Sequence, residues 1–159
     1  MSLSSMYAQL RSYESSASWW RTSASQYQDQ MNATNAQLTH KRDQLAKANA
    51  AKGKVDALPD ANQAVSDDLL LLGNTINACM AEPAAPGAAQ KVNQDNADAI
   101  SRAQNACTTL ITNLQNEIAT LEGNLATQTE GRDYSNGRAA TYDRYASNMR
   151  TRIANYDGD

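Results

Sequence analysis

The side chains that could do chemistry are few and scattered in this sequence. Acidic pairs occur at Asp67-Asp68 and at the terminal Asp157-Gly-Asp159, and His40 is the single histidine. Paired carboxylates can act as acid and base or bind a metal, and histidine can serve in either chemistry. We expect the acidic pairs to be solvated carboxylates and His40 to be an exposed histidine. The chain lacks a Gly-rich phosphate loop, a His-carboxylate set and an elbow-type serine motif, so no catalytic motif includes these residues. We therefore expect a protein that is not an enzyme.

The two cysteines, Cys79 and Cys107, do not define a metal site, and one histidine cannot complete one. We expect no metal and no cofactor. Two buried thiols are the favoured interpretation, and a disulfide between them in an oxidising compartment stays open as the alternative.

Composition favours thin helical packing over a thick globular core. Of 159 residues, 41% are hydrophobic and only 6% are aromatic, with no phenylalanine, three prolines and seven glycines. The net charge is -3 and no basic cluster exists, which disfavours nucleic acid and anionic membranes as partners. The run DDLLLLGN is far shorter than the roughly 20 apolar residues of a membrane span, so no membrane insertion is expected. The N-terminus does not resemble a conventional signal peptide.

The first 55 residues repeat apolar side chains at heptad spacing, which defines a stripe called here the first seam. One class of positions is Leu3, Leu10, Ala17, Ala24, Met31, Leu38 and Leu45. The other class is Met6, Tyr13, Trp20, Tyr27, Thr34, Lys41, Ala48 and Val55. Only Thr34 and Lys41 are polar, so the repeat predicts a long coiled-coil-like helix.

A second seam keeps one phase through the C-terminal part of the chain. Its members are Ile100, Gln104, Cys107, Ile111, Leu114, Ile118, Leu121, Leu125, Gln128, Arg132, Ser135, Ala139, Tyr142, Ala146, Met149, Ile153 and Tyr156. Two such seams predict an all-α fold, an elongated, coiled-coil-like antiparallel hairpin. If paired residue numbers add to about 159, large side chains face small ones: Trp20 meets Ala139, and Tyr142 meets Ala17.

The connecting region predicts how the single helical domain, residues 1–159, is divided. We expect a long helix over about 3–57, a short helix near the bend over about 60–81, a loop at 82–89 and a long helix over about 90–156. Pro59 should end the first helix, and Asp60-Ala-Asn-Gln63 is typical of a capping box. The short helix either extends the hairpin or folds against it. Its apolar face is Val65, Leu69, Leu72, Ile76 and Cys79.

The polar middle of the second seam leaves two alternatives open. Ser135, Asn136 and Gly137 are typical of a turn, which would break the last helix near residues 131–137. The unbroken heptad phase instead favours one continuous helix, in which Gly131 and Gly137 each cost roughly 1 kcal/mol.

Four aromatic residues outside the seams are the candidates for contact with a partner: Trp19, Tyr7, Tyr134 and Tyr145. Trp19 lies about 100° around the helix from its neighbour Trp20, which belongs to the seam with Tyr13, Ala139 and Tyr142. Tryptophan is among the residue types most enriched in binding hot spots. We therefore expect Trp20 to serve folding and Trp19 to serve a partner.

The stretch Ser135-Asn-Gly137-Arg-Ala-Ala-Thr-Tyr142 resembles the Trp-x-Gly turn of small helical proteins of bacterial type VII secretion (WXG100-like proteins), with serine in place of tryptophan. The opening MSLSSMYAQLRSY, the cysteine-containing middle helix and LITNLQNEIATLEGNL are similar to longer helical proteins that accompany LXG-type toxins. A Tyr-x-x-x-Asp/Glu export signal is missing near the C-terminus, because Ala146 and Met149 stand at that spacing after Tyr142 and Tyr145.

The resemblance implies a non-enzymatic targeting factor or chaperone that binds the helical N-terminal region of a secreted toxin, a second small helical protein, or both. It implies a homo- or hetero-oligomer in the bacterial cytoplasm, co-exported by a route that needs no signal peptide. The alternative is a self-assembling structural coiled-coil protein, such as a phage or surface-appendage component.

Overall fold

The residues that the structure describes form three helices, arranged as an all-α helical hairpin. The computed structural model describes the backbone of residues 2–79 and 87–156, and the side chains of residues 2–72 and 91–156. The helices are α1 (Leu3–Asp56), α2 (Leu58–Cys79) and α3 (Gly87–Ala154), and no strand occurs within the described ranges. The predicted fold class is therefore confirmed. Residues 82–86 of the predicted loop lie outside the described part of the chain.

The chain divides into two compact units. The first unit consists of Met1–Thr39 together with Ala119–Asp159, and the second unit is His40–Ile118. In the first unit, α1 packs against α3 along the two seams, and the core consists of small and medium side chains. The most deeply buried hydrophobic residues are Ala17 at 1%, Ala146 at 2% and Leu38 at 3% exposure. The alanines let the helix backbones approach closely, which explains how a chain poor in large apolar residues still forms a core.

Polar seam residues of the first unit have polar partners across the two helices. The hydroxyl of Thr34, which is 7% exposed, donates to Gln128 Oε1 at 3.0 Å. One turn away Arg132 donates to Gln28 Oε1 at 3.2 Å. Each pair has numbers that add to about 159, so the expected register is the observed one. A buried polar group without a partner is costly, so these bonds also disfavour other registers.

The second unit, His40–Ile118, continues the antiparallel pairing in its own residues. Lys41, the other polar member of the first seam, forms an ion pair with Glu117. Helix α2 is also antiparallel to α3: Asn62 donates to Asn93 Oδ1 at 2.6 Å, whereas Asp56, just before α2, accepts from Gln104 further along α3. Of the two arrangements expected for the short helix, the one that extends the antiparallel pairing is therefore observed within this unit.

The junction between α1 and α2 differs from the predicted one. Only Ala57 is non-helical, and α2 already begins at Leu58. Pro59 thus occupies the first turn of α2, where a missing N–H costs nothing. The predicted capping box at Asp60 is wrong, because that residue lies inside the helix and Gln63 donates forward to Asp67 Oδ1 at 2.8 Å.

The start and the middle of α3 both bear on the sequence predictions. Helix α3 begins at Gly87 instead of about residue 90, since the alanines that follow are strong helix formers. The helix then runs unbroken through residues 131–137, so of the two alternatives the continuous helix is observed, and the turn at Ser135, Asn136 and Gly137 is absent. Ser135 is instead 1% exposed and shares a 3.3 Å hydrogen bond with Ser23 on α1. Packing along this seam offsets the helix cost of the glycines.

Gly131 is required by a close approach of the helices. A Cβ placed on this residue would lie 2.5 Å from Cζ, 2.6 Å from Cε1 and 2.9 Å from Cε2 of Tyr27. No methyl group fits beside the ring at that distance. Gly137 differs, because a Cβ there would have nothing within 4 Å. The first glycine therefore makes room for a seam tyrosine, and the second does not.

Candidate partner-binding surface

Aromatic side chains of α1 and α3 form a connected group in the first unit, called here the aromatic cluster. Its members are Tyr13, Trp19, Trp20, Tyr134, Arg138, Tyr142 and Tyr145. The α1 members Tyr13 and Trp20 are seven residues apart and share a face, and the α3 members follow one another at intervals of three or four. Heptad spacing therefore places the cluster along one stretch of the hairpin.

The tryptophan part of the cluster is built from edge-to-face contacts. Trp19 and Trp20 have ring centroids 4.5 Å apart at an interplanar angle of 84°. Tyr134 approaches Trp20 from α3 with a centroid distance of 5.5 Å and an angle of 82°. Perpendicular rings set the positive edge of one against the negative face of the other, a preferred geometry for aromatic pairs. Trp20 thus contacts one aromatic neighbour on its own helix and one on α3.

Three tyrosines form the other part of the cluster. Tyr13 lies 5.5 Å from Tyr145 and 6.4 Å from Tyr142, measured between ring centroids. Tyr142 and Tyr145 are 6.0 Å apart at 88°. Gln9 donates to the hydroxyl of Tyr13 at 3.0 Å, which orients that ring. Each helix therefore contributes to both parts of the cluster.

Arg138 connects the two parts. Its guanidinium carbon lies 5.7 Å from the ring centroid of Trp20 and 5.3 Å from that of Tyr142, and one of its nitrogens donates to the Tyr142 hydroxyl at 3.2 Å. The rings attract the cation through their quadrupoles. The buried Nε of Arg138 makes no hydrogen bond among the described residues, so ring contacts dominate its surroundings. Ion pairs of Arg21 with Asp143 and of Arg150 with Glu14 also connect the helices of this unit.

The four predicted partner-contact residues are all exposed, but they do not all meet. Tyr134 is 62% and Trp19 is 61% exposed, whereas Tyr145 is 43% and Tyr7 is 44% exposed. The first three belong to the aromatic cluster, and Tyr7 is absent from the described ring contacts. The seam members Tyr13, Trp20 and Tyr142 are half-buried, and Ala139 is 4% exposed.

Arg138 is a member of the cluster that the sequence did not predict. The seams predict that Trp20 meets Ala139, and the structure adds contacts of Trp20 with Arg138 and Tyr134 on the same stretch of α3. Arg138 stands four residues after Tyr134 and four before Tyr142, a spacing that puts all three on one helix face. An arginine midway between two aromatic residues at helical spacing is the signal that would have found it.

The residues considered for chemistry are not members of this cluster. Asp67, Asp68 and His40 are exposed, and Cys107 is a free, half-buried thiol. Residues 157–159 and the Cys79 side chain lie outside the described part. Within the described residues, no group of three or more His, Cys, Asp or Glu side chains could hold a metal ion. None of the described helices is long and apolar enough to cross a membrane.

Comparisons with protein-family models, with curated proteins and with solved structures find no match for this chain.

Proposed function

We propose that this protein is a non-enzymatic protein-interaction module that binds a helical partner through the aromatic cluster. The observation that carries the proposal is the exposure of Trp19 and Tyr134, each above 60%, both in ring contact with the half-buried Trp20. Large aromatic residues and arginine dominate the energetics of protein interfaces. A rigid group of rings leaves little side-chain entropy to lose on binding.

A helix is the partner that fits this surface best. The cluster follows two antiparallel helices, and its rings repeat at helical spacing along both of them. A third helix laid along the pair could place apolar side chains at its own three- and four-residue intervals against the rings. The polar surface around the cluster, rich in Ser, Gln and Asn, would then form the rim of the interface.

The finer proposal names the partner as the helical N-terminal region of an LXG-type toxin of type VII secretion, with this protein as its targeting factor or chaperone. That part rests on the resemblance of the sequence to the helical proteins that accompany such toxins. Binding before export, in the bacterial cytoplasm, and co-export without a signal peptide belong to the same proposal.

The test is a binding titration with the purified N-terminal helical region of a toxin encoded beside this protein's gene. Calorimetry should give a complex with the wild type, and Trp19→Ala and Tyr134→Ala should each weaken it at least tenfold. Leu110→Ala is the matched control, because Leu110 is 50% exposed but lies in the other unit. Equal binding by all four proteins, or none by the wild type, would contradict the proposal.

Fluorescence gives a direct reading of the contact. In a Trp20→Phe variant, Trp19 is the single tryptophan, so its emission reports its own surroundings. Partner binding should shift that emission to the blue and protect it from acrylamide. Light scattering of the pure protein addresses the alternative function, since growth of open-ended polymers would favour a structural coiled-coil subunit.

A further inference from the structure

We propose that α2 is a second docking site, one that takes an amphipathic helix whose apolar side is flanked by lysine or arginine. The site lies in the unit His40–Ile118, apart from the aromatic cluster, and does not depend on the function proposed above. Its apolar surface, called here the leucine face, consists of Val65, Leu69, Leu70 and Leu72 on α2 with Val92 on α3.

The orientation of α2 is the first observation. Helices on a hydrophobic core normally turn their apolar side inward. Among the described side chains that connect α2 and α3, the half-buried Asn62, Ser66 and Asn93 are all polar: Asn62 donates to Asn93, and Asn93 donates to Ser66 Oγ at 3.0 Å. The exposed Asn96 donates to Asn62 Oδ1 at 3.3 Å. In the part of α2 whose side chains are described, a polar contact therefore connects this helix to α3.

The consequence is that the leucine face points to solvent. Val65, Leu70, Leu72 and Val92 are each 53–56% exposed, and Leu69 is 44% exposed. Together with the asparagines, part of this face lines a groove of about 200 Å³ between α2 and α3. Isolated exposed leucines are common, but a contiguous apolar group beside a groove marks an interaction surface.

Charge decides the occupant. Helix α2 carries Asp60, Asp67 and Asp68 and has no Lys, Arg or His in its sequence. On α3, Lys91 precedes Val92 and Asp95 and Asp98 follow it, so carboxylates outnumber the single cation. A second copy of α2 would bring these carboxylates toward identical ones, which is unfavourable. An anionic lipid surface would repel them. An apolar helix with basic flanks would cover the leucines and pair with the aspartates, so electrostatic and apolar complementarity agree.

A synthetic helical peptide with one leucine side and lysines beside it serves as the probe. Fluorescence anisotropy should show saturable binding to the full-length protein that weakens as salt is raised. The same peptide with glutamate in place of lysine should bind at least tenfold more weakly. Asp67→Asn with Asp68→Asn should lower affinity for the lysine peptide and reduce the salt dependence, without removing any apolar contact.

The double variant Leu69→Gln, Leu70→Gln should weaken binding at least tenfold, with circular dichroism confirming unchanged helix content. Glutamine is a good helix former, so the backbone of α2 is preserved. Leu110→Gln is the matched control at similar exposure, and Trp19→Ala should bind the peptide as the wild type does. That last variant separates a failure of this site from a failure of the aromatic cluster.

Several results would overturn the proposal. One is absence of peptide binding by the wild type, and another is equal loss in the Leu110→Gln control. Equal affinity for the glutamate peptide would remove the charge argument. A wild-type dimer that becomes monomeric in the double variant would assign the face to a second copy. Wild-type binding to phosphatidylcholine vesicles, lost in the same variant, would assign it to lipid.

Discussion

Replacing Gly131 with alanine should destabilise the protein, although alanine is the better helix former. In an open helix interior the change gains roughly 1 kcal/mol, because glycine loses more backbone entropy on folding. Here the new methyl group would stand 2.5–2.9 Å from three atoms of the Tyr27 ring. The ring is rigid, so all three atoms must move together, and overpacking of this kind costs about 1–3 kcal/mol. The net effect is a loss of up to about 2 kcal/mol.

Gly137→Ala is the matched control for this prediction. It lies on the same helix, six residues away, and its new Cβ would have nothing within 4 Å. This variant should gain up to about 1 kcal/mol of unfolding free energy. For a chain of this size 1 kcal/mol corresponds to roughly 2–4 °C in melting temperature. The two variants should therefore move in opposite directions in thermal and urea unfolding.

A double-mutant cycle tests the stated cause. Leucine at residue 27 lacks the outer ring atoms of tyrosine, so Gly131→Ala in a Tyr27→Leu background should regain the ordinary helix benefit. The interaction term between the two changes should be about 1 kcal/mol or more. If Gly131→Ala stabilises the otherwise unchanged protein as much as Gly137→Ala does, the close approach is not what selects glycine here.

Three further perturbations give expected outcomes in the same unfolding assays. Trp20→Ala should cost about 1–3 kcal/mol, because its half-buried ring packs between neighbours, whereas Trp19→Ala should change the melting temperature little; equal losses would contradict the division between them. Leu114→Ala should cost about 2–5 kcal/mol because Leu114 is 5% exposed, and a cost no larger than that of Leu110→Ala would contradict its place in the core. Thr34→Val should cost about 1–2 kcal/mol by leaving its glutamine partner unpaired, and a neutral result would show that this bond does not hold the register.

Heptad periodicity alone was enough to predict the fold class and the pairing of the two long helices. Spacing of three and four residues defines a helix face by geometry, and alanines opposite tyrosines and tryptophans define which residues can meet. In the sequence, the polar residues of the first seam interrupt an otherwise apolar heptad repeat. The structure shows that Thr34 and Lys41 have polar partners on α3, so complementarity between distant segments explains them.

The candidate surface was predictable only in part. Exposure of Trp19 and Tyr134 followed from their positions off the seams, because a residue one step from a heptad position faces away from the partner helix. Arg138 was not found in this way, since its role depends on rings from both helices meeting around it. The spacing of Arg138 from Tyr134 and Tyr142 marks their shared helix face, but its contact with Trp20, more than a hundred residues away in the sequence, has no local signature.

Sequence by itself determined the helices and their seams, since helical periodicity is a local property of neighbouring residues. Only the tertiary structure decided whether the last helix continues through its glycines and which side chains of α2 are exposed. The glycine-rich stretch near residue 131 stays helical because Tyr27 fills the space that glycine leaves. In the part of α2 whose side chains are described, leucines are exposed beside asparagines of α2 and α3 that bond to each other. In both cases the deciding energy is a contact between distant residues.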